Sequence, residues 1–148
     1  MAHVSRLIAA SPSQVFAVLS DGWSYSNWVT GTSHIRAVDA SWPATGSKIH
    51  HAAGIWPVVT RDETVVEKAA DDQRLELTAR GRPFGEALVV FELTPDGAGT
   101  RVDLVETPIA GPGKWLNNPA AEALLTRRNN ESLARLAATV ERRTEPQD

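Results

Sequence analysis

Cysteine is absent from the chain, which excludes disulfides, thiol nucleophiles and every cysteine-ligated zinc or iron–sulfur site. No apolar run approaches the roughly 20 residues that a membrane-spanning helix needs. The opening Met1-Ala2-His3-Val4-Ser5-Arg6 lacks the basic, apolar and cleavable stretches of a secretory signal. Neither sign of charge dominates: 15 basic and 18 acidic residues leave a net charge of -3, so no nucleic-acid surface is expected. Chemical motifs are equally scarce. Gly111-Pro112-Gly113-Lys114 lacks the length and the following serine or threonine of a phosphate loop. No serine sits in a nucleophile-elbow setting. No spaced ligand set supports a metal, and no cofactor is expected. The expected compartment is the cytoplasm.

The chain does have the composition of a globule. Its 148 residues suit one domain, 42% of them apolar and 22% charged. Five tryptophans stand against one tyrosine and three phenylalanines. Val4 to Ala9 reads as a strand. Ser11-Pro12-Ser13 then supplies an N-cap with proline at the first helical position. Val15, Phe16, Val18 and Leu19 give that helix its apolar spacing. The aromatic segment from Trp23 to Val29 reads as a second short helix. Strand-like runs follow at 34–39, 46–53, 57–67, 73–80, 85–94 and 100–107, with Pro95-Asp96-Gly97-Ala98-Gly99 as the strongest hairpin signal. Asn117-Asn118-Pro119 announces a long helix reaching about Arg143, and 144–148 reads as a frayed tail.

Strand alternation predicts a sheet with one apolar face: Ala87, Val89, Phe91 and Leu93 on one run, Val102 and Leu104 on the next. Only the C-terminal helix is long enough to cover that face. The expected architecture is α+β, with a seven-stranded curved antiparallel sheet gripping one long helix.

The order of elements, the Ser11-Pro12-Ser13-Gln14-Val15-Phe16 opening and the tryptophans after the first helix resemble the START-like, SRPBCC superfamily. Its polyketide cyclase/dehydrase-type members are the most similar. Gly99-Thr100-Arg101-Val102 and Arg128-Asn129-Asn130-Glu131-Ser132-Leu133 extend the resemblance over essentially the whole chain. The resemblance implies a helix-grip fold with a cavity between sheet and helix. The family spans lipid and hormone binders, cyclases and chaperone co-factors.

The residues themselves nominate a site. On the long helix Leu125, Asn129, Ser132, Leu133, Leu136 and Val140 share one face. Asn129 and Ser132 interrupt an otherwise apolar stripe: either they bond to neighbouring backbone or water, or they face a cavity ligand. His50 and His51 point to opposite faces of a strand and cannot share an ion, and parity with Ile49 makes His51 the interior one. Glu106 continues the inward parity of Val102 and Leu104. It either reaches water at the strand end or pairs with His51 for proton transfer. Trp28, Trp56 and Trp115 are placed to wall a pocket with Phe91, Leu104 and Leu125, whereas Trp23 is expected in the core. The reading is a binder of a small hydrophobic or aromatic molecule. The alternative is a cyclase-like enzyme using His51 and Glu106 as acid and base.

Overall fold

Ser11 caps the first helix as its sequence context predicts. Its hydroxyl accepts from the Gln14 N–H, the Gln14 side chain accepts from the Ser11 N–H, and Pro12 opens the helix. In the computed structural model, which describes residues 1–30, 32–55, 58–81, 85–111 and 118–144, this helix is α1 (Pro12–Leu19). It follows strand β1 (Ala2–Ile8) and precedes a 3₁₀ turn (Gly22–Ser24) and the one-turn helix α2 (Tyr25–Trp28). Six strands come next: β2 (Thr32–Val38), β3 (Lys48–Ile55), β4 (Val58–Ala70), β5 (Arg74–Gly81), β6 (Gly85–Asp96) and β7 (Gly99–Ala110). The long helix α3 (Pro119–Thr144) closes the described chain.

All seven strands form one antiparallel sheet in the order β1-β7-β6-β5-β4-β3-β2. Each neighbour in the β2–β7 meander is also a neighbour in sequence. The β6–β7 hairpin turns on Gly97-Ala98, with Asp96 opposite Gly99 and Gly97 at φ 59°. A positive φ at the first central residue only is the type II′ pattern that suits the twist of paired strands. The strands run a few residues beyond their predicted ends, notably β4 and β7, because ladder pairing continues after the apolar alternation stops.

The concave face packs on α3. Leu133, Leu136, Ala137 and Val140 join Ile8, Ile49, Val66, Leu75, Leu77, Phe91, Leu93, Val102 and Leu104 in a single core. Aromatic rings complete it between the short helices and the sheet. Trp28 lies 4.5 Å from Tyr25 and edge-on to Phe91 at 5.7 Å, and Tyr25 meets Trp42 edge-on at 5.6 Å. Every polar tip in this group has a partner: Tyr25 Oη and Trp42 Nε1 donate to the Leu19 carbonyl, and Trp28 Nε1 donates to Ser24 Oγ. Buried aromatics of this kind contribute area without leaving an unpaired donor.

Trp23 departs from its expected place in the core, being 57% exposed. Only part of a 3₁₀ turn can face inward. Here Gly22 and Ser24 are the buried positions, which turns Trp23 outward. The inward position of Gly22 leaves no room for a side chain. A Cβ there would lie 2.7 Å and 3.0 Å from the two Val38 methyl carbons and 3.2 Å from an Ile49 carbon. Gly22→Ala is therefore expected to cost about 1–3 kcal/mol through overpacking. A urea unfolding midpoint unchanged from the parent would show that this seam is looser than described.

Candidate functional site

The interior is not uniformly packed. One end of the sheet carries the β6–β7 turn and α1; the other carries the start of β1, the end of β7 and the first turns of α3. Concave residues near the first end are buried, and their successors toward the second are half-buried. Leu75 and Leu77 give way to Ala79, Leu93 and Phe91 to Val89 and Ala87, and Val102 and Leu104 to Glu106 and Pro108. Along α3, buried Val140, Leu136 and Leu133 give way to half-buried Leu125. The apolar columns also shrink, since Ala79 lies opposite Ala87 and Gly81 opposite Gly85. We call this second end the open end.

Polar groups collect there. Asn129 is 4% exposed, and its side chain makes no hydrogen bond among the described residues. Its helical neighbours Leu133 and Leu136 are in the core, so it points toward the sheet. His51 on β3 faces the same interior, half-buried, with Nε2 3.1 Å from Thr64 Oγ1 and Nδ1 without a partner among the described residues. Asp62 lies directly opposite His51 in the β3–β4 ladder and is 8% exposed. Burial pushes the His51 pKa below the usual histidine value; Asp62 pulls it up, Arg36 presses it down, the Glu63 backbone raises it and His50 lowers it. The net effect is a neutral imidazole at pH 7. Glu106 is half-buried, opposite Ala2 and Val89, with no hydrogen bond or ion pair among the described residues.

The lowered His51 pKa links stability to pH. The unfolded chain takes up a proton near pH 6.5 while the folded chain still resists it. Stability is therefore full above about pH 6.5 and falls as the pH drops toward the folded-state value. His51→Gln should flatten that part of a melting-temperature profile between pH 7 and 5. An unaltered slope would assign the acid sensitivity to other groups.

The sequence candidates fall into three sets. Asn129, His51, Glu106 and Leu125 face the open end. Trp28, Phe91 and Leu104 are 1%, 3% and 3% exposed and belong to the packed half, with Phe91 opposite Leu104 at its boundary. Ser132 serves a connection instead: its Oγ accepts from the Thr30 N–H at 3.0 Å and donates to Thr30 Oγ1 at 3.0 Å, tying α3 to the segment after α2. Trp56 and Trp115 lie outside the described residues.

His51 and Glu106 are not neighbours. Strands β4, β5 and β6 separate them, about 19 Å along the sheet at 4.8 Å per strand. Their ladder rows also differ, because the Glu106 row passes through Val89, Leu77 and Val66 whereas His51 lies opposite Asp62. Thr64 and Asp62 were not anticipated as interior polar groups. Counting back in twos from Val66 along β4 would have found both. A groove of about 900 Å³ lies between the start of β1 and the first turns of α3, lined by Ala2, His3, Glu122, Thr126, Arg127 and Asn130 among others. Neither Asn129 nor His51 lines it.

A seven-stranded antiparallel sheet wrapped on a C-terminal helix, with two short helices after its first strand, is the helix-grip fold. The chain belongs to the family described as polyketide cyclase / dehydrase and lipid transport, which matches residues 2–141. Solved structures agree in fold. A Rhodobacter sphaeroides protein is 20% identical with a TM-score of 0.73, covering 94% of this chain and 90% of its own. A Nitrosomonas europaea protein is 16% identical with a TM-score of 0.69, covering 96% and 94%. Ara h 8.0201 reaches a TM-score of 0.70 at 10% identity, covering 93% and 95%. No curated protein matches the chain significantly. No helix among the described residues is long and apolar enough to cross a membrane.

Proposed function

We propose that this chain binds a small, largely apolar molecule, hydrophobic or aromatic, between the open end of the sheet and the first half of α3. The observation that carries the reading is Asn129: a nearly buried amide, on the sheet-facing side of a helix, with no hydrogen bond among the described residues. Leaving such a group unpaired costs about 1–3 kcal/mol, and a ligand or ordered water that meets it recovers that cost. The small residues Ala79 and Ala87 and the apolar Val89 and Leu125, all half-buried, supply apolar surface at the same end. The family's lipid-transport and cyclase members make a bound apolar molecule the economical reading. Native mass spectrometry of protein purified from its own host tests this. A co-purifying small molecule is expected; its repeated absence, together with a flat thermal-shift screen of a ligand library, would remove the proposal.

A second reading, cyclase-like or dehydratase-like catalysis, has its own support in His51. A neutral imidazole with one nitrogen held by Thr64 and the other without a partner among the described residues is equipped to take a proton from a bound molecule. Glu106 would act on a different part of the same molecule rather than as the partner of His51. Product formation from an aromatic polyketone, lost in His51→Gln with binding retained, would favour this reading over simple carriage.

A further inference from the structure

We infer that the open end selects an apolar molecule whose polar head donates hydrogen bonds, an amine above all, and rejects carboxylates. The inference rests on the binding proposal above and names the ligand class. Glu106 is its origin. The side chain lies on the concave face between Ala2 on β1 and Val89 on β6, with Pro108 the next inward residue along β7. It is half-buried and has neither a hydrogen bond nor an ion pair among the described residues.

A carboxylate only accepts hydrogen bonds. A ligand entering beside Glu106 strips water from it, and that loss is made good by a donor, most fully by a cationic one. A second carboxylate would add like-charge repulsion to the same desolvation. The surroundings offer an anionic ligand little help. Among the described residues, exposed Arg6 lies four residues along β1 from Ala2, opposite Val102, and Arg36, in the β2 bulge, is held by the His51 and Asp62 carbonyls, with β6, β5, β4 and β3 between its strand and that of Glu106. The unpartnered Asn129 amide is an independent sign that this end receives a ligand. It offers two donors and an acceptor to whatever carbonyl, ether or hydroxyl the same molecule carries. The selected molecule therefore presents a donor to Glu106 and an uncharged polar group to Asn129 on an apolar body.

Three probes sharing one ring system separate the possibilities: naphthylmethylamine, naphthyl methyl ketone and naphthoate, titrated calorimetrically into the full chain at low salt. The amine should bind on the order of tenfold tighter than the ketone, and naphthoate on the order of tenfold weaker. Glu106→Gln should bring all three within about threefold of one another. Equal affinities in the unaltered chain, a preference for naphthoate, or a preference that survives Glu106→Gln would overturn the ligand class while leaving the binding proposal standing. If none of the three binds, the binding proposal falls and the ligand class with it. Should the variant not fold, the ranking in the unaltered chain decides alone.

Discussion

Trp28→Ala should lower the unfolding free energy by about 3–5 kcal/mol. The indole is 1% exposed and contacts Tyr25 and Phe91, and its N–H is used by Ser24. Truncation removes the buried area, both ring contacts and one hydrogen bond together. The neighbours cannot collapse to fill the space, because Tyr25 and Trp42 are anchored to the Leu19 carbonyl from two sides. Trp23→Ala is the matched control: at 57% exposure it should change stability by no more than about 0.5 kcal/mol. Chemical denaturation of the two variants makes the comparison. A loss below about 1 kcal/mol in Trp28→Ala would show that the aromatic group is not packed as described.

Asn129→Leu should act in the opposite direction. With no protein partner among the described residues to strand, replacing the amide by an apolar side chain removes an unmet desolvation cost of about 1–3 kcal/mol. The gain corresponds to a melting temperature higher by roughly 2–4 °C for each kcal/mol in a chain of this size. Binding of the ketone probe should weaken on the order of tenfold in the same protein, because the donor that meets it is gone. Ser132→Ala, three residues further on, should instead destabilise by about 1–3 kcal/mol, since it strands the Thr30 N–H. A melting temperature that falls in Asn129→Leu would mean that fixed protein groups satisfy the amide after all.

Local and periodic signals made most of the fold legible. The capping residues at Ser11 to Gln14, the Gly97-Ala98 turn and the inward stripe of α3 each depend on neighbours within a few residues, so a reading along the chain finds them. Strand parity carried further: it put His51 and Glu106 on the concave face without any knowledge of pairing. It could not tell that three strands separate them, because distance across a sheet depends on strand order and ladder row. Which of its two readings Ser132 takes was not legible for the same reason, its partner Thr30 being 102 residues away. Trp23 and Trp28 lie in one short aromatic segment with too few residues to define a period, so nothing local said which would be buried. The polar interior of β4 was legible too, since Asp62 and Thr64 share the facing of Val66 at a period of two.

The contrast between the two ends of the interior bears on how such chains diversify. Residues in the packed half are constrained by volume, since each fills space that its neighbours cannot. Residues at the open end carry little of that load, and one of them, Asn129, is carried at a cost to stability. New recognition can therefore arise by exchanging a few inward side chains at one end while the other keeps the scaffold intact. The same fold is present in Ara h 8.0201 at 10% identity, over 93% of this chain and 95% of its own.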